Sequence, residues 1–257
     1  VLTIPENKEY LTKPELFMLD LLAGYEWDRP INLLNAAGDL NMGIKDYLEY
    51  AGYSYKFTPV KNRMKGTDIG FVDTDELYRL MTEVYTFDAV SADDYFIDYQ
   101  NMYTHLGVMS LRNMFVNCAN AFIKAGENER AVEMLDKCES VLRNYPLEAI
   151  PIGFSANDYM VIEAIENYYK LGEWDSARGL GAKLGADLLV TAQFYLEYYE
   201  WAQDDFDFLA NSLYYLCDVL KAGGDKEMAD TIEDTFVQLL EIATGQKAGD
   251  VKASAEG

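Results

Sequence analysis

The apolar and polar positions of residues 1–72 predict two helices that alternate with two short strands. The stretch LTKPELFMLDLLAGYEW has apolar residues at helical spacing, and Thr12 and Glu15 have the spacing of a capping box at its start. We predict strands in RPINLLN and YSYKFTPV, because short apolar or alternating runs beside proline and glycine are typical of strands. Between them, GIKDYLEYAG predicts a short helix that ends at Gly52.

From Asp73 onward the apolar spacing is helical throughout. Asp73 and Glu76 are placed to cap the first of these helices, TDELYRLMTEVY. Ser91 and Asp94 are placed to cap the next, ADDYFIDYQNMY. A long helix is then predicted from about residue 104 to residue 125.

Three segments of this helical part share one pattern around a glycine. AFIKAGENERAVEML, YYKLGEWDSARGL and VLKAGGDKEMADTI each have a large apolar residue four positions before the glycine and an alanine five positions after it. Glycine permits the turn, and alanine lets two helices approach closely. Asn128 is expected to cap the helix after the first of these turns. The residues that we expect to pack three helical hairpins are Phe115, Cys118, Ala119, Phe122, Gly126, Ala131, Tyr168, Gly172, Ala177, Cys217, Leu220, Gly224 and Ala229.

This pattern resembles the tetratricopeptide repeat, in which helical hairpins recur about every 34 residues. Here the three alanines are 46 and 52 residues apart, which leaves room for extra helix or loop between hairpins. The predicted fold is mainly α, with tetratricopeptide-like helical hairpin repeats after a small N-terminal α/β segment. We expect that segment at residues 1–72, a helical-repeat domain at 73–243 and a flexible tail at 244–257. Three unrelated hairpins that share a glycine turn by chance are the alternative.

Charge and composition exclude several classes of function. The chain has 21 basic and 44 acidic residues, and its net charge of −23 repels nucleic acid and anionic lipid. With one histidine and three cysteines, none of them in a CxxC pair, we expect no metal site and no cofactor. No apolar run is long enough to span a bilayer and no signal-peptide pattern opens the chain. We therefore expect a soluble piece, either a mature form or a fragment of a longer protein.

Several acidic residues invite a catalytic interpretation that their context does not favour. Asp205 and Asp207 have the spacing of a metal-binding motif of sugar-nucleotide enzymes, but they precede an apolar helix, where carboxylates stabilise the N-terminus. Glu26 and Asp28 could serve acid–base chemistry, yet beside a glycine turn they are better explained as surface charges with Arg29 as a local partner. We therefore predict no catalytic residue and no enzymatic activity for this chain.

The histidine and two of the cysteines have no predicted chemical role. His105 has no acid or nucleophile near it in the sequence, so we treat it as structural or exposed. Cys118 and Cys138 are expected on the inner faces of the first hairpin, where thiols behave as small apolar groups. The sequence leaves open whether these two cysteines form a disulfide in an oxidising compartment.

The segment FYLEYYEWAQDDFDF is crowded with aromatic residues. Exposed rings beside carboxylates can stack on sugar rings, which makes Tyr198, Tyr199 and Trp201 candidate ligand contacts. The helical spacing of these residues, together with Phe194 and Tyr195, favours packing against a core instead. Burial of the rings would exclude the ligand-binding interpretation.

The order of the motifs resembles that of a known family. YLTKPELFMLDLLAGYEWDRPINLL, GIKDYLEYAGYSYKFTPVKN, VDTDELYRLM and LRNMFVNCANAFIKAGENERAVEMLDKC follow one another as in the C-terminal soluble region of a bacterial membrane glycosyltransferase family. That family was long catalogued as a domain of unknown function and is related to protein O-mannosyltransferases. The resemblance covers residues 10–240, and the matching residues are Trp27, Arg29, Pro30, Ile31, Tyr47, Leu48, Gly52, Tyr55 and Pro59.

The resemblance implies a non-catalytic role. In such transferases the catalytic acid lies in an N-terminal multi-span membrane region, so no catalytic residue carries over to this chain. The chain would be an extracytoplasmic module on the periplasmic side, tethered through that region, that interacts with a protein or peptide partner or holds a glycan acceptor. Two alternatives are a surface or periplasmic glycan-binding protein with aromatic platforms on a helical-repeat scaffold, and a stand-alone soluble enzyme with convergent carboxylates in a deep pocket.

Overall fold

The computed structural model describes residues 6, 8–34, 43–61, 71–94, 108–145, 147 and 157–244. Within them the protein is mainly helical, with a small three-stranded sheet near the N-terminus, which confirms the predicted fold class. The chain divides into two compact units, Val1–Thr86 and Phe87–Gly257. The predicted tail lies outside the described residues from residue 245 onward.

Helix α1 (Lys13–Ala23) begins at the predicted capping box. The backbone N–H of Thr12 donates to Glu15 Oε2 at 2.7 Å, and Thr12 Oγ1 donates to the same oxygen at 3.0 Å. Glu15 is fully buried, and its Oε1 accepts from Lys8 Nζ at 2.8 Å. Hydrogen bonds from Lys8 and Thr12 lower the pKa of Glu15 to about 2. Gly24 ends the helix.

The sheet shows one prediction to be wrong. The two predicted strands are confirmed, but GIKDYLEYAG is helical only in a 3₁₀ turn at Ile44–Tyr47, which passes directly into a third strand. In that strand Leu48 and Tyr50 are buried and Glu49 is not, a two-residue period that suits a strand. Gly52, at φ +76°, then turns the chain back. The strands are β1 (Ile31–Leu33), β2 (Leu48–Tyr50) and β3 (Tyr55–Phe57).

Strand β3 lies in the centre of the sheet, antiparallel to both neighbours. Phe57 is opposite Ile31 on one side and Leu48 on the other. The core of the first unit lies between α1 and this sheet, and its buried residues are Met18, Ile44, Leu48 and Phe57.

The first unit extends further than the change of apolar spacing at residues 72 and 73 suggests. Helix α2 (Thr74–Arg79) begins at the predicted cap, where Asp73 accepts from the N–H of Glu76 at 3.0 Å. A π-helical turn follows, and the hydroxyl of Tyr85 then donates to the carbonyl of Ala51 at 2.7 Å. This contact ties the segment after α2 to the turn beside β2, and the boundary between the units falls at Thr86. Helical spacing alone does not show which core a helix packs on.

The second unit is built of helices in its described part. Ser91 was predicted to cap a helix, but it ends one instead, and its hydroxyl donates to the carbonyl of Asp88 at 3.2 Å. The helix predicted after it lies outside the described residues. The helices are α3 (Asp88–Ser91), α4 (Val108–Ala125), α5 (Asn128–Val141), α6 (Asn157–Leu171), α7 (Trp174–Glu197), α8 (Tyr199–Ala222) and α9 (Lys226–Thr244).

The turns α4–α5, α6–α7 and α8–α9 have the same backbone geometry. Gly126, Gly172 and Gly224 adopt φ values of +80°, +84° and +94°, which other residues rarely adopt. In each turn the N–H after the glycine donates to the carbonyl five residues earlier at 2.9 Å. The glycine N–H donates to the carbonyl three residues earlier. These two bonds form the Schellman motif, which satisfies the carbonyls at the end of a helix.

An acidic residue after each glycine starts the next helix. The carbonyls of Glu127, Glu173 and Asp225 accept from the N–H of the alanine four residues later at 3.0 to 3.1 Å. The prediction that Asn128 caps α5 is wrong, because Glu127 is the N-cap and Asn128 is the first helical residue. A carboxylate at this position is favoured by the positive end of the helix dipole.

Helix α7 approaches the last hairpin through glycine. A Cβ atom at Gly185 would lie 2.5 Å from Ile232 Cδ1, and one at Gly181 would lie 2.9 Å from Leu220 Cδ2. Ala177, four residues before Gly181, is fully buried. Small residues at every fourth position therefore bring α7 close to α8 and α9.

Candidate functional site

The residues predicted to pack the hairpins are buried. The ten that are not glycine are at most 2% exposed: Phe115, Cys118, Ala119, Phe122, Ala131, Tyr168, Ala177, Cys217, Leu220 and Ala229. The three glycines of the set form the turns. These positions are therefore explained by packing and leave the surface as the place for a ligand or partner.

Two adjacent tyrosines join α6 to the hairpins on either side of it. The hydroxyl of Tyr168 donates to Asp136 Oδ1 in α5 at 2.8 Å. The hydroxyl of Tyr169 donates to Asp225 Oδ2, just before α9, at 2.6 Å. Burial is the main cause that raises the pKa of both phenols. The hydrogen bond that each hydroxyl donates to its aspartate raises the pKa further. Both tyrosines therefore stay protonated donors at neutral pH.

Asp225 is the meeting point of three elements. Its Oδ1 accepts from Arg178 Nε in α7 at 2.7 Å, and its Oδ2 accepts from Tyr169 in α6. Partial burial raises the pKa of Asp225, but the hydrogen bonds from Tyr169 and Arg178 outweigh it and lower the pKa. The ring of Tyr169 lies over Gly223, where a Cβ atom would be 2.6 Å from the ring.

Polar side chains also cross between α4 and its neighbours. Asn167 Nδ2 donates to Asn120 Oδ1, and Asn120 Nδ2 donates to Glu163 Oε1, both at 2.8 Å. Arg112 is fully buried and donates to Glu139 Oε1 at 2.7 Å. Nε and Nη2 of Arg112 have no hydrogen-bond acceptor in the described part of the protein. Because no solvent reaches this guanidinium, we interpret it as part of the interior of the first hairpin.

The three cysteines are buried, and none of them is part of a disulfide. Cys118 and Cys138 are buried without forming the disulfide that the sequence left open. Burial raises the pKa of Cys138 to about 12, and Cys217, also with a pKa of about 12, donates its S–H to the carbonyl of Ala229 at 3.6 Å. Neither Cys138 nor Cys217 is a reactive thiolate at neutral pH.

The residues of the family resemblance surround the sheet of the first unit. Trp27 has φ +60°, an uncommon value for a residue other than glycine. Its ring stacks on that of Phe57, with 5.8 Å between the ring centroids and 16° between the ring planes. Tyr25 and Tyr47 pack against the same two rings. Arg29, largely exposed, lies 3.7 Å from Asp28, as predicted for surface charges. Sequence analysis did not identify Phe57 as the centre of this cluster.

Four of the five aromatic residues around the junction of α7 and α8 are exposed, contrary to the packing that their spacing favoured, and Tyr195 is half-buried. Phe194, Tyr195, Tyr198, Tyr199 and Trp201 form what we call the aromatic corner. Trp201 is 87% exposed, Phe194 56%, Tyr198 47% and Tyr199 40%. The helical spacing fails here because Tyr198 (φ −113°, ψ 27°) separates α7 from α8, and Ala202 interrupts α8 again (φ −127°, ψ 27°).

The aromatic corner lies in an acidic part of the chain. Residues 184–220 contain seven acidic residues and no basic one. Glu197, Glu200, Asp204 and Asp207 are exposed. Asp207 was expected just before a helix with Asp205, but both lie inside α8. No group of three or more histidine, cysteine or acidic side chains within the described ranges could hold a metal ion.

The comparisons with known proteins concern only the first unit. Residues 1–76 match the model of a family described as TMEM260-associated domain 2. No curated protein and no solved structure matches the chain. Among the helices that the structure describes, none is long and apolar enough to span a membrane. Over its first 76 residues the chain is therefore similar to a domain family tied to a membrane protein.

Proposed function

We propose that this chain is a non-catalytic extramembrane module of a membrane-bound glycosyltransferase related to protein O-mannosyltransferases. It interacts with a protein partner or holds the acceptor on the extracytoplasmic side of the membrane. The observation that carries this proposal is the match of residues 1–76 to a domain family tied to a membrane protein. Membrane attachment and transfer chemistry belong, in this proposal, to a region N-terminal to Val1.

The second unit supplies the binding surface in this proposal. Its three hairpins share one turn geometry and bury the same small residue, which supports their interpretation as tetratricopeptide-like repeats. Stacked helical hairpins commonly present extended surfaces to peptides. The aromatic corner is the largest group of exposed rings that neighbour one another along the described helices. Its rings are therefore the part of the module that we expect to contact the partner.

Steady-state kinetics of the full-length protein test this role. If the aromatic corner holds the acceptor, Trp201→Ala raises the KM for a protein acceptor and leaves donor hydrolysis in the absence of acceptor unchanged. An unchanged acceptor KM would contradict the acceptor-holding role, because the aromatic corner would then make no contribution to acceptor binding.

Exposure of Tyr198, Tyr199 and Trp201 also favours a second candidate, a surface or periplasmic glycan-binding protein. Aromatic faces stack on sugar rings, and nearby carboxylates accept hydrogen bonds from sugar hydroxyls. In this candidate the corner binds free oligosaccharide without any membrane region. Saturable binding of a neutral oligosaccharide that is lost on Trp201→Ala would favour it over the interaction module.

A further inference from the structure

The aromatic corner is anchored to the core of the second unit through Tyr199. The ring of Tyr199 packs edge-on against Phe206 at 5.6 Å between centroids, and Phe206 stacks on Phe236 of α9 at 5.9 Å. Phe206 and Phe236 are buried, so the corner is attached to the core of the second unit. The rings of Phe194 and Tyr198 also pack against each other, with 4.9 Å between their centroids. Exposed rings held in this way lose little conformational freedom when they bind a partner.

Packing within the chain does not explain why the rings of the aromatic corner are exposed. Trp201 is 87% exposed, and Phe194, Tyr198 and Tyr199 are between 40% and 56% exposed. Soluble proteins rarely expose neighbouring large apolar groups unless the patch meets another molecule. Aromatic residues, tryptophan and tyrosine above all, are also the residues that supply most binding energy at interfaces.

The charge around the rings selects the partner. Four exposed carboxylates, of Glu197, Glu200, Asp204 and Asp207, lie between or just after the aromatic residues along the chain, and residues 184–220 contain no basic residue. The faces of aromatic rings attract cations, so rings and carboxylates favour the same ligand charge. We propose that the aromatic corner binds an extended, arginine- or lysine-rich segment of a protein partner; this inference rests on the proposed role of the chain as an interaction module.

Other occupants fit these observations less well. A second copy of this chain carries a net charge of −23, so two acidic corners would repel each other. Nucleic acid and anionic lipid are excluded for the same reason. A neutral glycan would use the rings but would gain nothing from the net negative charge around them.

Peptide binding to the complete chain tests the inference. The probes are a fluorescent dodecapeptide of alternating arginine and glycine and the same peptide with citrulline, a neutral isostere, in place of arginine. At low salt we expect the arginine peptide to bind at least about tenfold more tightly, and its affinity to fall as salt is raised. Equal affinity of the two peptides would overturn the inference.

Variants locate the binding. We expect Trp201→Ala, and separately the pair Glu197→Gln and Glu200→Gln, to weaken the arginine peptide about threefold or more. Matched controls are Phe17→Ala, an aromatic residue 69% exposed in the first unit, and Glu129→Gln, an exposed carboxylate of α5; neither should change the affinity. The Gln variants remove charge and keep shape, so they test the inference even if Trp201→Ala perturbs the fold. Wild-type affinity in both corner variants would overturn it.

Two further outcomes separate this inference from the proposed function. Maltohexaose that displaces the arginine peptide, and binds more tightly than it, would overturn the cationic partner in favour of a glycan. If the arginine peptide does not bind but the acceptor KM of the full-length protein still depends on Trp201, this inference falls and the proposed function stands. If the peptide binds at the corner but the acceptor KM is unchanged, the inference and the partner-binding role stand and the acceptor-holding role falls.

Discussion

Gly223 and Gly224 are neighbours in one turn, but they are required for different reasons. Gly224 adopts φ +94°, and no atom of the described residues would lie within 4 Å of a Cβ atom there, so its backbone conformation is what requires glycine. Gly223 has φ −71°, which any residue adopts, but a Cβ atom there would lie 2.6 Å from the ring of Tyr169. Gly179, in the exposed middle of a helix, has neither constraint.

Alanine at these three positions separates the two causes. We expect Gly224→Ala to lower the free energy of unfolding by about 1 kcal/mol, the cost of a left-handed alanine. Gly223→Ala should lower it by about 2–3 kcal/mol, because the ring must move and gives up its bond to Asp225. Gly179→Ala should raise it by about 0.5–1 kcal/mol through helix propensity. Denaturant unfolding measures all three, and equal effects at Gly223 and Gly179 would contradict the packing of Tyr169.

Glu15 makes the stability of the first unit depend on pH. Its pKa is about 2 in the folded protein, against an ordinary value of 4.5, because Lys8 and Thr12 donate to it. A lowered pKa contributes stability that is complete above the unfolded value and is lost as pH falls toward the folded value. We therefore expect the wild type to lose more stability between pH 5 and about pH 2 than Glu15→Gln does.

The control for this pH dependence is Glu9→Gln, which removes an exposed carboxylate near the same helix. Unfolding free energies across that pH range should be steeper for the wild type and Glu9→Gln than for Glu15→Gln. The same acid sensitivity in all three proteins would show that Glu15 is not the carboxylate responsible.

At the scale of elements, α6 is held from both sides through neighbouring tyrosines. Tyr168 reaches back to Asp136 and Tyr169 reaches forward to Asp225, which Arg178 also contacts. We expect Tyr169→Phe and Arg178→Met to be non-additive by about 0.5–1 kcal/mol, because both bind one carboxylate. Tyr168→Phe combined with Arg178→Met should add within about 0.5 kcal/mol, because these residues share no partner. Equal coupling in the two double-mutant cycles would contradict this arrangement.

The elements also show what local sequence determines. The three turns were predictable because the left-handed glycine and the alanine five residues later are set within one hairpin. Strand β2 was not, because its pairing with β3 forms between residues brought together by the turn at Gly52. A run such as YLEY fits either a helix or a strand until that partner is known.

The aromatic corner was only half predictable. Its residues were identified as candidate contacts from composition, but helical spacing favoured their burial. The rings are exposed because the helix is broken at Tyr198 and Ala202. Neither position is a proline or a glycine, so the sequence does not predict these breaks. The role of Phe206 in anchoring the corner was not predictable either, because its contact with Phe236 joins two different helices and depends on their packing.

At the scale of the whole molecule, two features point to a module that works with a larger assembly. Residues 1–76 of the first unit match a domain family tied to a membrane protein. The second unit combines a well-packed interior with one exposed aromatic surface in an acidic setting. We infer that the first unit relates the chain to its membrane-bound parent and that the second contacts the partner.

The most direct test of this account is the acceptor KM of the full-length protein, measured for Trp201→Ala beside the control Phe17→Ala. The account predicts a KM raised several-fold for Trp201→Ala alone, with donor hydrolysis and kcat unchanged, because the corner binds the acceptor and does no chemistry. A lower kcat at unchanged KM, or equal effects of the two substitutions, would contradict it.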